Sequence, residues 1–273
     1  MNSLMLNTDG VQIPQLGFGV WQIPADEAEQ AVTTALRAGY RHIDTAAAYG
    51  NEDGVGRAVR AGGLPRSKVF VTTKLWNGDH TRAEEAFDES LARLGLDYVD
   101  LFLIHWPVPK QGKYVQAWKA IEKIYRDGRA KAIGTSNFTV ATLTRLMDET
   151  EITPSINQIE LHPYLQQREM RAFHEANGIL TEAWSPLGQG RGLLDDPALG
   201  VLSGKYGKTP AQIVLRWHLQ LGNVVIPKSA TPSRIAENID VFDFLLDPED
   251  MAAIGALNRG QRIGPDPDTF NVS

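Results

Sequence analysis

Short apolar runs and amphipathic runs alternate along the whole of this chain, and that alternation constrains its fold more than any other feature. Strand-like segments fall at 16–20, 41–44, 69–74, 99–105, 131–135, 155–160, 179–184 and 224–227. Segments with helical spacing fall at 26–38, 51–61, 82–94, 114–126, 140–149, 167–177, 210–221 and 232–241. No change of composition marks a linker between them, so the pattern predicts a parallel sheet covered by helices. Eight such units in 273 residues favour closure into a single (β/α)8 TIM barrel, for which about 250 residues is typical. The chain 1–273 is therefore read as one barrel domain, with 248–257 an extra C-terminal helix and 259–273 a tail. Asp9-Gly10 between two apolar stretches predicts a β-hairpin over 4–13 that plugs the N-terminal mouth.

An open dinucleotide-binding sheet would need Gly-x-Gly-x-x-Gly after an early strand. Gly17-Phe18-Gly19 lacks the third glycine, and Gly188-Gln189-Gly190-Arg191-Gly192 has the wrong spacing and comes late. Composition removes other classes. With no cysteine there is no disulfide scaffold, thiolate metal site or cysteine nucleophile, and no metal is implied. A net charge of −6 argues against general nucleic-acid binding. The N-terminus lacks the basic and apolar regions of a signal peptide. No apolar run approaches the roughly 18 residues of a membrane span, so a cytoplasmic protein is expected.

In a barrel, reactive groups sit at the C-terminal ends of the strands. Asp44, Lys74 and His105 each end a strand, about thirty residues apart, which puts them at matching heights on neighbouring strands. Small residues from Thr45 to Ala48 let Tyr49 lean back over Asp44. A phenol with a pKa near 10 is a poor proton donor alone; a neighbouring ammonium is expected to lower that pKa. Asp44 would hold Lys74 charged, and His105 would hydrogen-bond a substrate oxygen or the phenol. Such a cluster can deliver a proton to a carbonyl oxygen. Asn137, Gln158, Glu160, Trp184 and Lys228 lie at or just beyond the remaining strand ends.

These residues resemble the aldo-keto reductase family. Ile43-Asp44-Thr45-Ala46-Ala47-Ala48-Tyr49-Gly50-Asn51-Glu52 is similar to its first signature. The stretch from Leu94 to Pro107, ending Leu103-Ile104-His105-Trp106-Pro107, is similar to the second. Ile226-Pro227-Lys228-Ser229 with Arg234-Ile235-Ala236-Glu237-Asn238 is similar to the third. Further matches at Gly134-Thr135-Ser136-Asn137-Phe138, Asn157-Gln158-Ile159-Glu160 and Ala183-Trp184-Ser185-Pro186-Leu187 extend the likeness over nearly the whole chain.

The resemblance implies Asp44, Tyr49, Lys74 and His105 as catalytic tetrad, with Tyr49 the general acid. It implies reduction of aldehydes or ketones by hydride transfer from NADPH. Ser136, Asn137 and Gln158 would hold the nicotinamide carboxamide, and Trp184 would stack on its ring. Ser185, Leu187 and the glycine loop after it would line the pyrophosphate. Lys228, Ser229 and Arg234 would meet the 2′-phosphate, with Glu237 and Asn238 at the adenine. Physics agrees with the phosphate assignment, because two cations at a helix start favour an anion.

The branch most resembled includes the 2,5-diketo-D-gluconic acid reductases, many of which carry an arginine where this chain has Thr231. NADH is therefore expected to be used as well, though less effectively. Trp21, Trp76 and Trp106, just past strand ends, are candidates to wall a cleft for small carbonyls, α-dicarbonyls or keto sugars; packing at the mouth is the competing reading. The short tail predicts an open pocket, and the branch predicts a monomer. Two alternatives stand beside this. A cofactor-binding subunit without turnover, as in potassium-channel β subunits, is disfavoured by the complete tetrad. A glycoside hydrolase using Glu160 and Glu182 is disfavoured because Glu182 points deep into the barrel.

Overall fold

A computed structural model of the protein describes residues 5–8 and 10–272. Strands β1 (Met5–Thr8) and β2 (Val11–Pro14) pair antiparallel as the expected hairpin; Leu4 and Asp9 lie outside the described residues. Eight parallel strands follow in chain order around one sheet: β3 (Phe18–Gly19), β4 (His42–Asp44), β5 (Phe70–Leu75), β6 (Val99–Ile104), β7 (Ala130–Ser136), β8 (Ile156–Glu160), β9 (Leu180–Trp184) and β10 (Val224–Val225). The first and last strands meet. Val225 N donates to Gln15 O at 2.8 Å, Gly17 N to Val225 O at 2.8 Å, and Gly19 N to Pro227 O at 3.1 Å. The barrel is closed.

That seam explains Gly17-Phe18-Gly19. A Cβ on Gly17 would lie 2.7 Å from His42 Nδ1, and one on Gly19 3.0 Å from Ile226 O. Gly17 leaves room for the His42 ring of β4 and Gly19 lets β3 approach the chain just after β10, packing demands unrelated to phosphate binding.

Helices α1 (Ala25–Ala38), α2 (Glu52–Ala61), α3 (Ala83–Leu94), α4 (Tyr114–Arg126), α5 (Val140–Glu149), α6 (Arg168–Ala176), α7 (Pro197–Tyr206), α8 (Pro210–Gln220), α9 (Pro232–Ile239) and α10 (Pro248–Gly255) surround the barrel. Helix α7 is absent from the sequence reading. Gly200 and Gly204 lower its helix propensity and it has little apolar periodicity. Its start was legible, since Asp196 accepts from Ala198 N at 3.0 Å and Pro197 takes the first helical position. Helix α10 is the expected C-terminal addition.

Two apolar cores result. The larger lies between sheet and helices and includes Trp118, Trp217, Phe87 and Phe102. The smaller fills the N-terminal end of the barrel. There Ile13 of the hairpin packs with Phe70, Leu101, Leu103, Ala132, Ile156 and Val224, so the hairpin is a plug. Above this layer the interior turns polar, with His42, Asp44, Thr72, Lys74, Gln158 and Glu182 all buried.

The tail is not the open rim expected from its brevity. Glu160 at the end of β8 accepts from Ile263 N at 2.6 Å and Gly264 N at 2.8 Å. Thr139 after β7 meets Asp268 at 3.3 Å, Phe270 stacks on Trp106 at 4.3 Å, and Asn77 after β5 donates to Val272 O at 2.7 Å. The segment crosses the mouth because each neighbouring strand end offers it a partner.

Candidate active site

The loop after β4 is set by polar contacts. Thr45 Oγ1 donates to Asn51 Oδ1 at 2.8 Å, and Asn51 Nδ2 donates to Val20 O and Ile23 O at 3.0 and 3.1 Å. Between these anchors Ala47–Tyr49 makes one 3₁₀ turn, ended by Gly50 at φ 66°. The turn aims Tyr49 at the barrel axis.

There the four predicted residues converge. Lys74 Nζ donates to Asp44 Oδ1 at 2.7 Å and to Thr45 O at 2.9 Å, and stands 3.4 Å from Tyr49 Oη. Those contacts use its three protons. The Tyr49 ring meets the His105 ring edge to face at 5.6 Å, and Trp76 meets His105 likewise at 5.4 Å.

Burial disfavours the Lys74 ammonium, but Asp44, with Tyr49 and Glu182 adding to it, outweighs this and the Lys74 pKa is raised. Burial drives the His105 pKa well below its ordinary value, with the Lys74 charge adding to the effect, so the imidazole is neutral. Its Nδ1 has no hydrogen-bond partner among the described residues. The phenol corrects the sequence-based expectation. Burial raises the Tyr49 pKa, and Lys74 offsets this only in part because Asp44 acts in the opposite direction. Tyr49 therefore stays protonated at neutral pH.

The residues expected around a nicotinamide meet at the ends of β7, β8 and β9. Ser136 Oγ donates to Gln158 O at 3.0 Å. Asn137 Nδ2 donates to His105 O and Ser136 Oγ, and its Oδ1 accepts from Trp184 Nε1 at 2.8 Å. Asn137 thus braces the indole, which the sequence did not reveal. Asn137 and Ser185 hold φ of 63° and 50°, left-handed conformations that cost energy and cluster where sites are pre-organised. Gln189 Nε2 donates to Ser185 Oγ at 2.6 Å, tying the glycine loop over the part-buried Leu187.

Lys228 and Arg234 are exposed at the start of α9. Ser229 Oγ accepts from Thr231 N at 3.1 Å, which orders the turn before the helix. Glu237 accepts from Thr209 Oγ1 at 2.8 Å, so its carboxylate is partly committed to the cap of α8; Asn238 is buried beside it. Of the three tryptophans, Trp76 lies against His105, Trp106 is buried beneath Phe270, and Trp21 stands 43% exposed. Glu160 and Glu182 do not face each other across a cleft. Burial opposes ionisation of Glu160, but His162 and the backbone N–H groups of Ile263 and Gly264 outweigh it and lower its pKa. Glu182 is buried, and its Oε2 accepts a hydrogen bond from Gln158 Nε2 at 2.9 Å. Sequence reasoning missed that contact and the companion bond from Gln158 to Asp44 Oδ2 at 2.8 Å.

The sequence profile described as the aldo/keto reductase family matches residues 15–259. The chain belongs to the aldo/keto reductase family. It is 56% identical over 267 residues to an aldo-keto reductase of Mycolicibacterium smegmatis, covering 97% of each chain. It is 55% identical over 263 residues to a methylglyoxal reductase, DkgA, of Escherichia coli K12, covering 96% of each. A crystal structure of a Gox0644 mutant in complex with NADPH superposes with a TM-score of 0.95 at 47% identity, covering 99% of both chains. No described helix of this family member is long and apolar enough to cross a membrane.

Proposed function

We propose that this aldo-keto reductase reduces small aldehydes, ketones, α-dicarbonyls or keto sugars to alcohols with NADPH, using Tyr49 as the general acid. The observation that carries the reading is the buried Asp44–Lys74–Tyr49 chain beside a neutral His105. A substrate carbonyl oxygen placed between Tyr49 Oη and His105 would be polarised by both. As charge builds on that oxygen, Tyr49 gives up its proton, and the Lys74 ammonium stabilises the phenolate left behind. Asp44 and Thr45 O hold Lys74 in place through the transfer. When bound, the cofactor supplies the hydride.

The chain has donors and acceptors suited to that cofactor. Trp184, braced by Asn137, offers a flat face to a nicotinamide, with Ser136 and Gln158 at its carboxamide. Ser185, Leu187 and the loop after it fit a pyrophosphate. Lys228 and Arg234, at the start of a helix and without an ion-pair partner among the described residues, together with Ser229, suit a 2′-phosphate. Glu237 and Asn238 flank the adenine position, while Trp21, Trp76 and Trp106 border the carbonyl cleft. The same reading takes 1–273 as one barrel domain working as a cytoplasmic monomer, which light scattering on the purified protein checks. A panel of carbonyl compounds run with NADPH and NADH in parallel tests the function. Turnover of reactive aldehydes and α-dicarbonyls, faster with NADPH, is expected; cofactor binding with no turnover across the panel would overturn the assignment.

A further inference from the structure

Gln158 touches the carboxylate that holds Lys74 and also a second carboxyl group that the reaction does not use. Its Nε2 donates to Asp44 Oδ2 at 2.8 Å and to Glu182 Oε2 at 2.9 Å. Gln158 and Glu182 sit side by side in register on β8 and β9. Glu182 is wholly buried, and its Oε1 accepts no hydrogen bond from any described residue. The nearest cation candidate, His42 Nε2, is 3.8 Å from that oxygen and is engaged with Thr72 Oγ1 at 3.0 Å. Gln158 is therefore the one hydrogen-bond partner of this acid among the described residues.

A primary amide presents its N–H groups and its carbonyl oxygen in opposing directions. Two carboxyl groups on one side turn the amino end of Gln158 towards them and leave its Oε1 facing away. The two neighbouring polar side chains are already committed, Ser136 to Gln158 O and Asn137 to His105, Ser136 and Trp184. No described residue donates to Gln158 Oε1. One anchor would not fix it, because the terminal torsion of glutamine is broad. Asp44 alone would leave the amide free to pivot, and the second contact sets its plane.

We propose that Glu182 is a positioning residue that locks the Gln158 amide with its acceptor oxygen turned to the mouth. The locked oxygen selects a nicotinamide bearing a carboxamide N–H over an analogue without one. The proposal rests on the reading of Gln158 as a carboxamide partner, and the test separates the two. Dissociation constants for NADP and its 3-acetylpyridine analogue, whose methyl replaces the NH₂ group, are measured by quenching of tryptophan fluorescence. The wild-type protein is expected to favour NADP by about three- to ten-fold, the range of one neutral hydrogen bond.

Glu182→Leu and Glu182→Met both lack the acceptor and should bring that ratio towards one; either suffices if the other misfolds. Glu182→Gln, which keeps an acceptor oxygen, should preserve it. Retention of the ratio in Gln158→Ala would overturn the carboxamide reading, and the proposal with it. Loss in Gln158→Ala with full retention in the leucine and methionine variants would leave that reading standing and overturn the role of Glu182.

Discussion

Glu182 and Lys228 show how differently one charge behaves inside the barrel and on its rim. Burial, reinforced by the charge of Asp44, pushes the Glu182 pKa up to about 8, whereas an unfolded chain would release this proton near a pKa of about 4.3. The unfolded state thus binds fewer protons between those values, so the Glu182 contribution to stability is full below the lower pKa and is lost as pH rises through the upper one. His42 has the opposite sign. Burial lowers its pKa to about 4, so its contribution is lost as pH falls through that value. Glu182→Gln should therefore gain stability relative to wild type between about pH 5 and about pH 9, read from denaturant unfolding at each pH. An unchanged difference would mean that Glu182 is ionised throughout. Lys228 is exposed and has no partner among the described residues, which leaves its charge available to an anion. Lys228→Met should weaken NADPH binding about ten-fold, the loss expected for a hydrogen bond to a charged group, while NADH binding barely changes; equal losses would put the 2′-phosphate elsewhere. Positions of this kind are legible in a sequence because they follow strand ends. The protonation state of Tyr49 is not, since it depends on burial and on the balance of Lys74 against Asp44.

The tail shows what periodicity cannot reveal about an element. Residues 259–272 have no repeating pattern, and their course is set by single partners on four different strand ends. Gly264 is the tightest point. A Cβ there would come 2.5 Å from the Trp184 ring and 3.0 Å from Glu160 Oε2. Gly264→Ala must push the tail off the indole, so hydrogen exchange across 262–272 should quicken and KM for carbonyl substrates should change, with the melting temperature little altered. Exchange as slow as in wild type would show that the tail is not seated on Trp184. Helix α7 escapes the sequence pattern for a related reason. Its glycines and weak amphipathy hide it from a pattern search, while its Asp-Pro start carries the whole signal. The amphipathic helices and the β4 to β9 strands needed no such local clue, because burial of one face is written into their spacing.

Across the whole molecule the barrel separates stability from chemistry. Its N-terminal end is an apolar plug around Ile13, and its C-terminal half holds the buried polar groups. Ile13→Ala should cost about 2–5 kcal/mol, the usual range for emptying a core site, with kcat and KM unchanged. A loss of activity without a loss of stability would contradict that division. Closure of the sheet was foreseen from the count of βα units, but the meaning of Gly17 and Gly19 emerged only when β3 was seen between β4 and the chain just after β10. The clustering of Asp44, Lys74 and His105, far apart in the chain, was legible because equal spacing puts strand ends at equal heights. The bonds from Gln158 to Asp44 and Glu182 were not legible, because only closure brings β8 and β9 against β4. The account turns on one proton. In Tyr49→Phe, consumption of NADPH with a reactive aldehyde should fall by at least about a hundred-fold, at the low end of general acid catalysis, while fluorescence titration shows cofactor binding within about two-fold of wild type. Turnover at the wild-type rate would contradict the account.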